Sequence, residues 1–235
     1  MKNQKMKQIV KLAEPNSLTQ HRAKAHSSYS NLPIKAKDEL RDNLLTEQGH
    51  ICCYCMKRIP EKINSNGNIV YEMKIEHFQC QDYFQHLQLT YDNLLGACTG
   101  NKGKPKKLQT CDTKKGNLAL TISLISNAPN CETLFKYNPD GEIGSIDNDP
   151  EINRQINDVL NLNMQTLKDN RKQIYLEVQR RVETESKQHT TKPLKIRYFS
   201  IEREKWLKKT NGKYKEFCMV AVYYLTKKIK QNQRK

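Results

Sequence analysis

The sequence predicts an α+β fold, in which a small core of short strands is stapled by cysteines and wrapped by N-terminal and C-terminal helices. Three observations carry that expectation. Three cysteines fall within four residues in "HICCYC", and two more stand at Cys98 and Cys111. In "GNIVYEMKIEHF", Ile69, Tyr71, Met73 and Ile75 alternate with the two-residue period of a strand. Further on, Ile152, Ile156, Leu160, Met164, Leu167, Ile174 and Val178 recur at helical spacings.

The elements follow in order. Residues 1–44 read as a helical leader, with "EPNSLTQHR" and "SSYSNLP" as irregular or short helical pieces. In "KAKDELRDNLLTEQGH", Leu40, Leu44 and Leu45 share one helical face and Gly49 supplies the stop. Residues 45–120 hold the cysteines and the alternating strand. There "YDNLLGAC" reads as a turn into a short helix, "TGNKGKPKKLQT" as a basic loop, and "CDTKKGN" as the opening of a helix with Asp112 near its start. Residues 121–150 form a connector whose Asp-Gly marks a hairpin in "LFKYNPDGEIGSI". Residues 151–235 read as a basic helical region that ends in the amphipathic "KEFCMVAVYYLTKKIKQ".

With 36% hydrophobic and 28% charged residues, the chain is expected to be polar and water-soluble, with a modest core. No apolar run approaches the roughly 18 residues of a membrane span, and "MKNQKMKQIVKLAEP" lacks the apolar stretch of a secretory signal. A cytoplasmic location without membrane contact is the expectation. In a reducing compartment, eight cysteines point to metal ligands or buried thiols before disulfides. The formal charge of +16 is uneven: residues 151–235 hold 21 Lys and Arg against 9 Asp and Glu, whereas 121–150 hold one against five. Such a field suits a polyanion, with nucleic acid the usual partner. A surface tuned for solubility is equally compatible.

Four cysteines group as two arms, Cys52-x-x-Cys55 and Cys98-x12-Cys111. Zinc takes four tetrahedral thiolates, and a C-x-x-C knuckle sets two sulfurs at bonding distance from one ion. Cys53 is a rival ligand to Cys52. Cys80, Cys131 and Cys218 lack partners at ligand spacing and read as core thiols. Between and beside the arms lie Glu76-His77, Asn93 and Asp112. Phosphodiester hydrolysis needs a base to activate water and a divalent cation to carry developing charge. His77 can be the base, Glu76 and Asp112 can hold a hard cation such as magnesium, and Asn93 can brace the loop. The bland readings are a satisfied histidine, a strand-end salt bridge and helix-capping side chains. Lys114 and Lys115 are candidate phosphate contacts, as are Arg180 and Arg181. His21, His26, His50, His86 and His189 have no comparable setting and read as surface residues.

The pattern "CCYC…IEHF…YDNLLGAC…CDTKKGN" resembles the core of the HNH endonucleases, a ββα-metal fold stabilised by zinc. It is most similar to the HNH nucleases of bacterial anti-phage defence, the PtuB family of Septu systems and relatives beside retrons. The resemblance extends to "LTEQGHICCYC", "KYNPDGEI", "LNLNMQTLKDNRKQI" and "GKYKEFCMVAVYYL". It implies a zinc-stapled ββα core at residues 45–120 and cleavage of nucleic acid, DNA ahead of RNA. It further implies His77 as general base, Asn93 orienting that histidine, Glu76 as acidic metal ligand, and a PtuA-like ATPase as partner. Asp112 stands where many members have a final His or Asn, a departure from the literal pattern. Two other readings stay open: a zinc-ribbon module that binds nucleic acid or protein without cutting, and a free-standing restriction-type nuclease.

Overall fold

The computed structural model describes residues 7–65, 67, 69–125 and 131–234. The start of the predicted leader, Asn68 of the predicted strand and positions 126–130 of the predicted connector lie outside the described residues.

Helix and sheet are mixed, as the α+β reading expects. Helix α1 (Asn16–Arg22) is short, and α2 (Ile34–Gln48) follows Pro33, whose fixed φ suits a helix entry. Leu40, Leu44 and Leu45 are fully buried, and Gly49 closes α2 in the left-handed conformation at φ 60°. The helix runs across the expected boundary at residues 44 and 45, so the leader and the cysteine core share one element.

Strands β1 (Glu61–Ile63) and β2 (Ile69–Tyr71) pair antiparallel, and β3 (Met73–His77) pairs with β4 (Leu94–Cys98). The single alternating strand expected from Ile69 to Ile75 is therefore broken at Glu72 into strands of two sheets. Ile69 is 61% exposed and Tyr71 only half-buried, so the first half of that pattern buries little. The helix expected in "YDNLLGAC" is also corrected: Tyr91–Asn93 make one 3-10 turn and Leu94–Cys98 is strand. Periodicity cannot separate a five-residue apolar run in a strand from one in a buried helix. Pairing with β3 along its whole length, from Met73–Cys98 to His77–Leu94, decides it. Helix α3 (Cys111–Lys115) then packs on β4, so an antiparallel hairpin is followed by a short helix.

The Asp140–Gly141 turn joins β5 (Phe135–Tyr137) to β6 (Ile143–Ser145), as expected. The next region is helical but interrupted. Helix α4 (Pro150–Arg154), capped by Asp149, passes into a π-helical turn at Gln155–Val159, and α5 (Gln165–Glu185) starts afresh. Asparagines cause the break. Asn161 adopts φ 49° and donates to the carbonyls of Lys107 and Gln109, while Asn163 bonds both backbone groups of Ile143. Side chains that serve neighbouring backbone in this way compete with helix continuation. Helices α6 (Lys192–Leu207) and α7 (Cys218–Gln233) pack together, α7 being the amphipathic helix expected near the chain end.

The β3–β4 hairpin stands between two apolar clusters. Leu95 and Ala97 face the larger one, with Tyr54 and the buried side of α7. Leu94 and Ile75 face a smaller one with Leu18, Leu40, Leu44 and Leu89. Gln48 docks α2 to the hairpin by bonding both backbone groups of Gly96, at 2.7 Å each. Among the described residues, no helix is long and apolar enough to cross a membrane.

Candidate active site and metal centre

The sulfurs of Cys52, Cys55, Cys98 and Cys111 all lie within 4.8 Å of one another, with Cys55–Cys98 and Cys98–Cys111 both at 3.8 Å. Four sulfurs held tetrahedrally about 2.3 Å from zinc stand about 3.8 Å apart, so donors and spacing fit that ion. The first arm is a tight turn, closed by Met56 N–H to Cys52 O at 3.0 Å and Cys52 N–H to Lys57 O at 2.9 Å. The second arm works despite its length because its loop is pinched. Thr110 N–H donates to Gly100 O at 3.0 Å, and a Cβ on Gly100 would stand 2.2 Å from Thr110 O. That approach, at φ 55°, admits glycine alone.

Geometry separates Cys52 from Cys53. Cys52 joins the cluster. Burial opposes its ionisation, but the neighbouring cysteine thiols, Cys111 first, hydrogen-bond to its sulfur and hold its pKa well below the ordinary value. Burial pushes Cys53 well above its ordinary value, and its backbone N–H instead ties the knuckle to Gly96 O at 3.0 Å. Cys80, Cys131 and Cys218 are buried outside the cluster, as expected.

Successive residues on a strand point to opposite faces, so Glu76 and His77 leave the end of β3 on different sides. Glu76, 2% exposed, accepts from Tyr54 Oη at 2.7 Å and pairs with Lys115 Nζ at 2.9 Å. Asp112, from the first turn of α3, meets the same carboxyl and is ion-paired with Lys74. Burial first, and Asp112 second, push Glu76 up to about 8 against the pull of Lys115. Burial also works against the Asp112 carboxylate, but Glu76 and Lys74 outweigh it and hold Asp112 below the usual range. The two carboxyls converge with their affinities for protons pushed apart, and their oxygens are hard donors of the kind a divalent cation takes.

His77 is held on three sides. Its Nε2–H donates to Gln88 O at 3.0 Å, Gln81 Nε2 donates to Nδ1 at 3.0 Å, and Tyr29 packs edge-on at 4.6 Å. Because a carbonyl only accepts, Nε2 carries the proton and Nδ1 keeps its lone pair. Burial depresses the His77 pKa, opposed by the Gln88 carbonyl and the charge of Asp112, which favours the neutral ring. Asn93 cross-links the loop that carries those partners. Its Oδ1 accepts from Gln79 N at 2.7 Å and its Nδ2 donates to the carbonyls of Gln79 and Leu87. Leu87 immediately precedes Gln88, so the Asn93 amide fixes the carbonyl that orients the imidazole.

Several sequence expectations are revised. Lys115, a candidate phosphate contact, is 2% exposed and serves Glu76 from inside. Lys114 is half-buried beside it. Arg180 is exposed, whereas Arg181 is ion-paired with Glu185 and Glu202 and so ties α5 to α6. His21 is a buried histidine bonded to Ser28 O and Asn31, not a surface residue. Tyr54, Lys74, Gln81 and Gln88 complete the site without having been foreseen. Only Tyr54 carried a signal, lying inside the cysteine knuckle.

No family model matches the chain. It is similar to a protein of Vibrio cholerae serotype O1 biovar El Tor described as "Retron Vc95 putative HNH endonuclease", at 33% identity over 110 residues. The match covers 46% of this chain and 47% of that relative, about half of each. This likeness supports the resemblance to HNH endonucleases, and the four-cysteine cluster could hold a metal ion such as zinc.

Proposed function

We propose that the chain is a metal-dependent HNH endonuclease that hydrolyses phosphodiester bonds, DNA ahead of RNA, with β3, β4 and α3 as a ββα-metal core. One observation carries the reading: His77 and Glu76 leave the end of β3 as neighbours, Glu76 meets Asp112 of α3, and the four-cysteine cluster stands on the same hairpin and helix. Glu76 and Asp112 would hold a divalent cation such as magnesium, which would supply positive charge to the scissile phosphate and the departing oxygen.

The side chains of the protein do the remaining work. Nδ1 of His77 exchanges the Gln81 amide for a water and takes its proton as the water oxygen bonds to phosphorus. The phosphorus–oxygen ester bond breaks, and the leaving oxygen is protonated from solvent. The charge of Asp112 steadies the imidazolium that forms, while Gln88 O, positioned through Asn93, keeps the ring aimed. Lys74 and Lys115 offset the carboxyl charges.

We also propose that this nuclease serves anti-phage defence under control of a PtuA-like ATPase. Support comes from the family resemblance and from the retron named in the description of the relative. A partner that restrains cutting is physically reasonable for an enzyme that would otherwise attack its own cell.

The test is cleavage of plasmid and of RNA in magnesium, with and without the candidate ATPase. His77→Ala should slow cutting by about 10²–10⁴-fold and leave zinc content unchanged. Asp112→Ala should recover part of its loss at higher magnesium, which His77→Ala should not. A His77→Ala protein that cuts at the wild-type single-turnover rate would leave the zinc-ribbon binder as the better reading.

A further inference from the structure

A cleft of about 550 Å³ opens where α5, α6 and α7 meet, and it shares no residue with the candidate active site. Lys195 of α6, Lys228 of α7 and Arg234 beyond it line the cleft, with Ser186 and Asn232 at the walls and Glu183 as its one acid. A second cavity of about 280 Å³ adjoins it across Gln231 and Arg234 and adds Lys227 and Lys230. Among the described residues, none of these five cations has an ion-pair partner, whereas Arg181, Arg203 and Lys205 on the same helices are paired with Glu185, Glu204 and Glu202. Residues 217–235 carry five Lys and Arg and no Asp or Glu.

A cation near the end of α7 has an ordinary explanation, because the negative pole of a helix attracts it. Lys195 has none. It stands near the N-terminal end of α6, where the helix pole is positive and a cation is disfavoured. Its charge adds to that pole instead of cancelling it, and both stand across the cleft from the cations of α7, with Glu183 the one acid among them. Surfaces shaped only for solubility intersperse the two signs, while same-sign charge lining a concavity concentrates field on an anion. The length of the feature selects the anion. Lys227 to Arg234 spans about 10 Å of helical rise, against about 3.4 Å per phosphate along one strand of a duplex, so about three phosphates fit.

We propose that this cleft is a second nucleic-acid-binding surface, which grips the sugar-phosphate backbone apart from the β3–β4 site. It deepens the nuclease reading by naming where a substrate strand is held, but the grip itself requires no cutting.

The experiment is fluorescence anisotropy of labelled duplex DNA with the full chain, without added divalent cation, across a salt series. The triple variant Lys195→Glu, Lys228→Glu, Arg234→Glu should bind at least about tenfold more weakly near 0.1 M salt, with the log–log salt slope shallower by about 2 to 3. A charge-matched control, Lys24→Glu, Lys35→Glu, Lys208→Glu, should lose far less. Melting temperature and zinc content check folding, and Lys→Gln and Arg→Gln versions replace any reversal that fails to fold. Wild-type affinity and slope in the triple variant would overturn the proposal, and so would an equal loss in the control. Displacement of the DNA by a mononucleotide at equal phosphate concentration would overturn the strand-binding claim. A His77→Ala protein that cuts at the wild-type single-turnover rate would sink the nuclease reading and leave this result standing.

Discussion

Lys115 places an ammonium group where 2% of the residue meets solvent, 2.9 Å from Glu76 and 3.3 Å from the carbonyl of His77. Removing the ammonium leaves buried acceptor atoms without their donor, which costs about 1–3 kcal/mol. Lys115→Met should therefore lower the denaturation midpoint markedly, whereas Lys114→Met should barely move it; equal effects would show that the pair contributes little. Asn93 belongs to the same scale. Asn93→Ala leaves the Gln79 N–H without its acceptor, at a cost of about 1–3 kcal/mol, and frees the carbonyl that orients His77. Cleavage should fall by more than the lost stability explains, with magnesium dependence unchanged. That the fold brings Glu76, His77, Asn93 and Asp112 together was legible because they fall in order around a cysteine frame. Lys115 was misplaced because its sequence neighbours, Lys114 and the loop lysines, suggest a wet surface, and only the close packing of α3 on β4 reveals otherwise.

At the scale of elements, the two cysteine arms divide the labour between a local turn and a long pinched loop. Cys98→Ser should cost the protein its zinc and much of its stability, since structural zinc contributes roughly 10 kcal/mol or more of apparent binding energy. Cys80→Ser should keep about one zinc per chain by metal analysis, and equal zinc in both variants would reject the ligand set. Helices α2 and α7 and the Asp140–Gly141 hairpin were legible because local signals and burial agree there. Strand β4 was not, since its pairing with β3 is a long-range fact invisible to a five-residue pattern. The break before α5 was hidden because Leu160 and Met164 keep the helical rhythm while Asn161 and Asn163 turn their amides to other loops. Helix α6 escaped notice because it buries little beyond Phe199, Glu202 and Trp206.

For the whole molecule, the cysteine knuckle is where distant parts of the chain converge. Phe217 N–H donates to Met56 O at 3.1 Å and Glu216 accepts from Arg58 N–H at 2.8 Å, so the start of α7 rests on the first arm. Leu160 O receives Cys111 N–H at 2.9 Å, which brings the helical break to the second arm. Arg171, 1% exposed and bonded to Gly141 O and Leu162 O, lies near enough to Cys55 and Cys111 to feel their charge. A zinc ion held by four thiolates would carry a net charge of about −2, which this guanidinium would partly balance. Chelating the metal should therefore lower the thermal midpoint of the whole chain, the C-terminal helices included, in a single transition. A separate, unshifted transition for α6 and α7 would contradict that coupling.

The hairpin that divides the two apolar clusters also divides the site between them. His77 and its loop rest on the small cluster with α1 and α2, whereas Glu76 and Asp112 lie beside the large one and its metal staple. Regions with few buried contacts open locally well below the free energy of global unfolding. The histidine half can accordingly come undone and re-form while the carboxyl half stays assembled. Native-state hydrogen exchange would register this as early deuteration of the amides from Phe78 to Asn93, with those of Ala97 and Val222 protected until the molecule unfolds as a whole. An agent that acts on the outer leaf alone could then silence the chemistry without displacing the metal.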